Sequence, residues 1–204
     1  MLEAVELECA RGDRTLFRDL DFALERGALL RVAGANGSGK TSLLRIVCGL
    51  SVPAHGEIRW DGANIRALKE EYARQLVYIG HANALKDDLT ARENLLITGE
   101  LAGLDATPDQ ATDALGRFGV GGCAMLPARV LSQGQRRRVA LARLALSTAV
   151  PLWVLDEPFT ALDVKAVEVL QALIADHTAR GGSVVLTTHQ EVAIAAANAQ
   201  RLDL

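Results

Sequence analysis

Residues 34–41, GANGSGKT, form a glycine-rich segment that ends in a lysine and a threonine. Three glycines let backbone N–H groups converge on phosphate oxygens, because side chains there would crowd the anion out. Lys40 adds a positive charge for the β- and γ-phosphates, and Thr41 offers a hydroxyl to Mg²⁺. The predicted contacts with a nucleoside triphosphate are Gly34, Ala35, Asn36, Gly37, Ser38, Gly39, Lys40 and Thr41.

The sequence on either side of this loop supports that interpretation. ALLRVAG (28–34) is a short, mostly apolar run that ends in glycine, as a buried strand entering a turn would. TSLLRIVCGL (41–50) has apolar residues at helical spacing, with Gly49 near its end. A strand before the loop and a helix after it are the context that distinguishes a triphosphate site from a chance glycine-rich turn.

LWVLDE (152–157) is a second candidate for chemistry, an apolar run of strand length that ends in two acids. Asp156, at the end of a buried strand, can bring its carboxylate to the metal side of a triphosphate. Glu157 follows and points elsewhere, so it can accept a proton from water. We therefore predict Asp156 as a Mg²⁺ ligand and Glu157 as a general base.

LSQGQ (131–135) has neither metal-ligand spacing nor a nucleophile beside a base. It reads as the N-terminus of a helix, where orphan N–H groups and the helix dipole favour an anion. Taken alone, the segment is more simply a helix cap. The following Arg136, Arg137 and Arg138 fan out over one helical turn, which favours a solvated face and contacts with neighbouring residues over a nucleic-acid surface.

Predicted strands and helices alternate at both ends of the chain, and helices dominate the middle. Strands are predicted at 4–10, 15–24, 28–34, 152–157 and 183–189, with a hairpin around Asp61-Gly62 at 56–65. Helices are predicted at 41–50, 89–104, 107–120, 133–147 and 163–180, two of them with threonine caps at Thr90 and Thr107. This order indicates a parallel α/β core with a helical insertion.

Composition is that of an ordinary globular protein. The 204 residues are 50% hydrophobic and 23% charged, with a formal net charge of −3. That charge is too small to favour nucleic acid or an anionic membrane surface. Cys9, Cys48 and Cys123 are scattered, which predicts reduced thiols and neither a disulfide framework nor a metal site.

The motifs together resemble those of ATP-binding cassette (ABC) proteins, the nucleotide-binding subunits of ABC transporters, over nearly the whole chain. GANGSGKT is similar to the Walker A loop, LWVLDE to the Walker B strand, and LSQGQ to the family signature. ALD (161–163) is similar to the D-loop, and His189 after SVVLTT to the switch histidine. Five motifs in order at family spacing indicate more than any one alone.

The resemblance implies a fold and an assembly. The expected fold class is α/β, a P-loop NTPase core with an antiparallel β flank and an inserted helical subdomain at about 82–147, in one domain spanning 1–204. Two copies are expected to close head to tail around two ATPs. The signature residues of one copy would then contact the γ-phosphate held by the other, and those residues are Ser132, Gln133, Gly134 and Gln135.

The resemblance also implies roles for two further residues. His189 would hold the attacking water and the γ-phosphate in line. Asp163 would connect the two sites across the dimer. The expected activity is Mg-dependent ATP hydrolysis, which would couple nucleotide turnover to work in a membrane complex.

Two positions depart from the family pattern. His81 stands where the family usually has a glutamine that contacts the metal-bound water and links to the membrane partner. An imidazole can accept a hydrogen bond from that water or serve only in transmission, and both roles stay open. Where an aromatic residue usually stacks on adenine, the chain offers Arg11, whose guanidinium can stack, while Phe17 is expected in the core.

The loop around His81 and the arginine-rich signature helix narrow the resemblance to the ATP-binding subunits of the haem exporter of cytochrome c maturation. That implies integral membrane permease partners docked near His81, and a peripheral position on the cytoplasmic face of a bacterial inner membrane. No C-x-x-C-H motif is present, so direct haem binding is not expected. The ATP-binding subunit of another ABC transporter is an alternative, as is a soluble ABC ATPase, although soluble members tend to carry fused cassettes or long insertions that 204 residues do not hold. A kinase or GTPase would leave LSQGQ and His189 without a role, and Glu157 argues against an ATP sensor.

Overall fold

The chain folds into two sheets with helices around and between them. This computed structural model describes residues 1–12, 14–190 and 192–204. The strands are β1 (Leu2–Arg11), β2 (Arg14–Leu24), β3 (Ala28–Ala33), β4 (His55–Trp60), β5 (Ala63–Asn64), β6 (Leu76–Ile79), β7 (Leu152–Leu155), β8 (Ser183–Thr187) and β9 (Asn198–Asp203). The helices are α1 (Lys40–Val47), α2 (Ile65–Leu68), α3 (Glu70–Ala73), α4 (Ala91–Leu101), α5 (Pro108–Arg117), α6 (Gln133–Leu146) and α7 (Val164–Ala179).

The first sheet is antiparallel and has the order β2-β1-β4-β5. The predicted hairpin joins β4 to β5 through Asp61 and Gly62, which both have positive φ. Two such residues match the right-handed twist of the paired strands, which explains the Asp-Gly signal. Phe17 of β2 is buried in the core, as expected.

The second sheet is parallel, with the order β6-β7-β8-β3-β9. Its inner strand β7, between β6 and β8, is buried on both faces: Trp153 and Leu155 join one hydrophobic cluster, and Leu152 and Val154 join the other. Burial on both faces requires the continuous apolar run seen in the sequence. The carboxyl ends of β3, β7 and β8 meet at one edge, which brings their following loops together.

Helices α4, α5 and α6 lie between β6 and β7 in the chain and pack against one another. Each begins with a capping box, in which the N-cap hydroxyl and the N3 side chain satisfy backbone N–H groups in both directions. Their apolar faces share a core with Trp153 on one face of the parallel sheet. Within the described residues, no helix combines the length and apolarity that a membrane span needs.

The fold class expected from the sequence is confirmed, including the parallel core, the antiparallel flank and the inserted helices. Helices α2 and α3 and strands β6 and β9 were not among the elements predicted from periodicity. β9 consists mostly of exposed and half-buried residues and pairs with β3 through its backbone. It therefore carries no hydrophobic pattern from which a strand could be recognised.

Candidate functional site

The glycine-rich loop joins the carboxyl end of β3 to the N-terminus of α1. Gly39, the residue before α1, has φ of 110°, and a Cβ there would be 3.0 Å from the ring of Phe17. The loop is therefore pressed onto β2 in a backbone conformation that only glycine adopts readily. This arrangement presents the first N–H groups of α1 to an anion.

Lys40 is held inside this loop by its own backbone. Its Nζ donates hydrogen bonds to the carbonyl oxygens of Gly34 at 2.8 Å and Ala35 at 3.0 Å. The side chain is buried, so its charge lies within the loop and away from bulk solvent. A positive charge in this place suits the terminal phosphates of a nucleotide.

Asp156 lies at the carboxyl end of β7 and is buried. Its Oδ2 accepts a hydrogen bond from the Thr41 hydroxyl at 2.9 Å, and its Oδ1 accepts one from the Thr187 hydroxyl at 2.8 Å. Thr187 is the last residue of β8, so the neighbouring strand fixes the orientation of the carboxylate. Asp156 and Thr41 thus form a pair of oxygen donors beside the loop.

Glu157 follows Asp156 with a left-handed backbone, φ 48°. Its N–H donates to the Thr187 hydroxyl at 2.9 Å. Its side chain accepts a hydrogen bond at Oε2 from the backbone N–H of His189 at 3.2 Å, and Oε1 lies 3.3 Å from His189 Nε2. The loops after β7 and β8 therefore bring the predicted base and the predicted switch histidine into contact.

These residues surround one cavity of about 620 Å³. Of the residues predicted from the sequence, ten line it: Arg11, Asn36, Gly37, Gly39, Lys40, Thr41, His81, Asp156, Glu157 and His189. Gly34, Ala35 and Ser38 belong to the same loop but do not line the cavity. The cavity is large enough for a nucleotide-sized ligand.

The sequence did not single out five other lining residues: Arg14, Leu16, Ser42, Thr160 and Gln190. Arg14 lies in β2 and Arg11 at the end of β1, paired with it in the sheet register. The lining of the cavity therefore includes two arginines where one was predicted. The two arginines are three residues apart in the sequence, and this spacing is the signal that could have identified the second.

His81 is exposed and lines two cavities. One is the large cavity, and the other has a volume of about 40 Å³ and is lined also by Asn83, Gln133, Arg137 and Glu157. A cavity of that size holds a water molecule. Both roles left open by the sequence, contact with the metal-bound water and transmission to a partner, remain compatible with this position.

The predicted signature residues do not line the large cavity of their own chain. Ser132 caps α6: its hydroxyl accepts from Gln135 N–H at 3.2 Å, and Gln135 Oε1 accepts from Ser132 N–H at 2.9 Å. Ser132 and Gln133 are exposed, so they remain accessible to a second molecule. Within one chain, the helix-cap interpretation describes the segment fully.

The signature and the D-loop are in contact. A Cβ on Gly134 would be 3.2 Å from the carbonyl oxygen of Ala161. Asp163 caps α7 by accepting from Ala166 N–H at 2.9 Å, and its other carboxylate oxygen lies 3.4 Å from Nη1 of Arg138. The two segments expected in the dimer interface are therefore neighbours on the surface.

Of the two features predicted for the arginines of α6, contact with neighbouring residues describes Arg137, whereas a solvated position does not. Only 4% of this residue is exposed, whereas Arg136 and Arg138 are half-buried and pair with Asp87 and Asp163. Arg137 donates to backbone carbonyls near the site, which compensate the guanidinium for its lost hydration. Burial lowers the pKa of Arg137, while the nearby carboxylates of Asp156 and Glu157 oppose that shift.

Comparison with known proteins identifies the family. The sequence profile of the ABC transporter family matches residues 17–160 of this chain. A cytochrome c biogenesis ATP-binding export protein CcmA from Nitrosospira multiformis is 57% identical, with 100% of this chain and 98% of the relative aligned. The protein of the same name from Nitrosomonas europaea is 55% identical, with 100% and 95% aligned.

Solved structures give the same answer. An ATP-binding subunit of an ABC transporter superposes with a TM-score of 0.83 at 26% identity, covering 93% of this chain and 79% of that one. A dimeric bacterial ABC transporter cassette superposes with a TM-score of 0.82 at 25% identity, covering 93% and 88%. The chain belongs to the ABC transporter family and has the fold of its ATP-binding cassettes. The family predicted from the five motifs is confirmed, and the relatives are named for the cytochrome c role that the resemblance implied.

Proposed function

We propose that this chain is the Mg-dependent, ATP-hydrolysing subunit of a membrane complex that handles haem in c-type cytochrome maturation. The observation that carries the catalytic part is the contact between Glu157 and His189 at the end of a phosphate-loop cavity. A base and a polar partner in this place can act on water near a terminal phosphate. The biological part is supported by the names of the relatives.

Thr41 and Asp156 fit a Mg²⁺ ion that accompanies ATP. Their oxygens are 2.9 Å apart, about the separation of adjacent ligands around an octahedral ion that binds oxygen at 2.0–2.1 Å. Mg²⁺ is typically held by one or two protein oxygens together with phosphates and water. When bound, it would neutralise charge on the β- and γ-phosphates.

The other residues would divide the work of hydrolysis. Lys40 would leave the carbonyl oxygens of its own loop and pair with the phosphates. Glu157 would accept a proton from the attacking water, and His189 would orient that water and the γ-phosphate. Arg11 would lie against the adenine ring of ATP, on which its guanidinium plane can stack.

The complete site would need a second copy of the chain. Ser132 and Gln133 are exposed and do not line the large cavity of their own chain, and they lie at the N-terminus of a helix that suits an anion. In a head-to-tail pair, Ser132, Gln133, Gly134 and Gln135 would cover the γ-phosphate of the other copy, and Asp163 would lie between the sites. ATP would then favour the closed pair by binding across it.

The membrane partners would be integral permease subunits, with the cassette peripheral to the membrane on its cytoplasmic side. We place the docking surface at His81 and the segment that leads into α4, within a helical subdomain at about 82–147. The chain would supply mechanical work, and its partners would contact haem.

Substitution of the proposed base tests the catalytic assignment. Glu157→Gln should reduce ATP turnover by at least about 100-fold, because an amide cannot accept the proton. ATP binding should persist, and an ATP-bound dimer should accumulate. Steady-state hydrolysis and size-exclusion chromatography with ATP measure both effects.

Glu168→Gln is the matched control, since Glu168 lies on the surface of α7 outside the cavity lining. It should leave turnover and dimerisation unchanged. Normal turnover in Glu157→Gln would remove Glu157 as the base. Co-purification from membranes, with the accompanying chains identified, tests the proposed partners separately.

A further inference from the structure

Arg137 of α6 bridges the carboxyl ends of two neighbouring strands. Its Nη1 donates to Gly80 O, just past β6, at 2.8 Å. Its Nη2 donates to Asp156 O at 3.0 Å and Glu157 O at 2.8 Å, just past β7. One guanidinium therefore contacts both the loop that carries His81 and the peptide that carries Glu157.

The three carbonyl oxygens that accept hydrogen bonds from Arg137 lie beyond the last backbone hydrogen bond between β6 and β7. The β6–β7 register ends at Ile79 and Leu155, and the next hydrogen bond, from Asp156 N–H to Ile79 O at 2.8 Å, is the last contact along the ladder. Beyond it, buried carbonyls need other donors. The planar fork of Arg137 supplies them and extends the pairing of the two strands by one step.

The peptide that Arg137 holds is under strain. Glu157 adopts φ 48°, a left-handed conformation that costs a non-glycine residue free energy and persists only when its surroundings fix it. The Thr187 hydroxyl holds the N–H of Glu157, and Arg137 holds its carbonyl. Both ends of the residue are thus fixed by side chains from other elements.

Arg137 also contacts a second residue of the loop that carries His81, and its two neighbours in α6 contact other segments. Arg137 Nη1 also lies 3.4 Å from Asn83 Oδ1, and the next residue of α6, Arg138, pairs with Asp163. The preceding residue of α6, Arg136, pairs through Nη2 with Asp87 Oδ1 at 2.7 Å. Three consecutive arginines of the signature helix therefore attach it to three segments around the site.

We propose that Arg137 is a positioning residue that fixes Glu157 relative to the loop at residues 80–83, so that movement of this loop shifts the base. The inference rests on the proposed function of Glu157 as base and of the loop as the docking segment. Arg137 does not line the large cavity and is not a catalytic residue. Arg137 acts by fixing the backbone of Glu157, the proposed general base.

Arg137→Lys separates the fork from the charge. Lysine keeps a cation in the same place, but one ammonium cannot reproduce the planar contacts with three carbonyl oxygens. We expect kcat for ATP to fall by at least about tenfold, because small misplacement of a base is costly, while KM stays within about threefold. Turnover is measured on the full chain, alone and with the membrane chains that co-purify with it.

Hydrogen exchange on the nucleotide-free full chain gives a readout independent of turnover. Amides in the 80–84 and 156–161 segments should exchange faster in Arg137→Lys, and those of α5 should not change. Arg143→Lys, further along the same helix and half-buried, is the control. It should alter kcat by less than about twofold and leave both segments protected.

Normal kcat in Arg137→Lys would overturn the inference, as would an increase in exchange spread over the whole chain with a parallel rise in KM. If the lysine variant does not fold, Arg137→Gln replaces it, because a neutral amide leaves no unpaired buried charge. The same outcomes then decide. Absence of turnover in the wild-type chain in every preparation would instead contradict the proposed function, and the exchange result would still test the bridge.

Discussion

The pKa of His177 shows how strongly burial can change the protonation of a single residue. Its ring, on α7, stacks on that of Trp153 in β7 with centroids 3.8 Å apart and planes inclined by 6°. Only 1% of the residue is exposed. Burial lowers the pKa of His177 to about 4, below its ordinary value of 6.5. The folded chain therefore holds this imidazole neutral across the physiological range.

This depressed pKa predicts an acid-dependent loss of stability. Between pH 6.5 and about 4 the unfolded chain binds a proton at His177 that the folded chain rejects. The free energy of unfolding should therefore fall by about 1.4 kcal/mol per pH unit from this group, as pH decreases. Urea unfolding at several pH values measures the slope.

His177→Phe keeps an aromatic ring against Trp153 and removes the titration. The difference in unfolding free energy between the wild-type chain and this variant should change with pH across that window and level off above it. A difference independent of pH would contradict a neutral buried His177. His55→Phe serves as control, since His55 is exposed on the antiparallel sheet.

At the scale of elements, the side chain of Asn94 makes four hydrogen bonds with the segment that leads into α4. Asn94 is 2% exposed and donates through Nδ2 to the carbonyls of Lys86 (3.0 Å), Leu89 (3.2 Å) and Thr90 (3.0 Å). Its Oδ1 accepts from Lys86 N–H at 2.7 Å. A loop without regular structure thereby acquires fixed backbone partners.

Asn94→Ala should destabilise the chain, because it removes the hydrogen bonds that this buried side chain makes with the loop and takes away the acceptor of the Lys86 N–H. We expect a loss of roughly 2 to 3 kcal/mol in the free energy of unfolding. Urea denaturation measures the loss, and hydrogen exchange should locate it at residues 86–90.

Thr112→Ala is the control for Asn94→Ala. Thr112 bonds only to Pro108 O within its own helix, at 2.9 Å, so its loss should be within about 0.5 kcal/mol. Equal losses in the two variants would show that the loop does not depend on Asn94.

At the scale of the whole molecule, the candidate site is divided between two surfaces of one chain. The phosphate loop, Asp156, Glu157 and His189 surround the large cavity, whereas Ser132 lies outside it at the start of α6. In the proposed head-to-tail pair, each nucleotide would contact the phosphate loop of one copy and Ser132 of the other. Turnover should therefore depend on assembly.

Ser132→Arg tests this division. A long cation at the proposed interface should reduce turnover by at least about tenfold, because the second copy cannot close over the γ-phosphate. ATP affinity of the isolated chain should stay within about threefold of wild type, since Ser132 does not line its own cavity. Equilibrium dialysis and steady-state hydrolysis measure the two quantities.

Thr107→Arg removes an equivalent helix cap, that of α5, and is the matched control. It should destabilise the chain as much as Ser132→Arg but leave turnover largely intact. A large loss of ATP affinity in the isolated Ser132→Arg chain would contradict a site completed by a second copy.

The sequence by itself determined the features whose chemistry is local. The phosphate loop, the strand ending in Asp156-Glu157, the threonine caps and the Asp61-Gly62 hairpin each depend on residues adjacent in the chain, so motif and periodicity were sufficient. The same motifs identified the family. Apolar runs also gave the parallel core, because a strand buried on both faces must be apolar throughout.

Only the tertiary structure decided which polar side chains hold the site. Arg137 contacts Gly80 and Asp156, which are 57 and 19 residues away, and Thr187 contacts Asp156 across 31 residues. β9 was recognised only from its pairing with β3. Hydrophobic patterning reports where apolar residues are buried, but a charged residue is buried only where distant backbone carbonyls converge, and that convergence is produced by the packed fold.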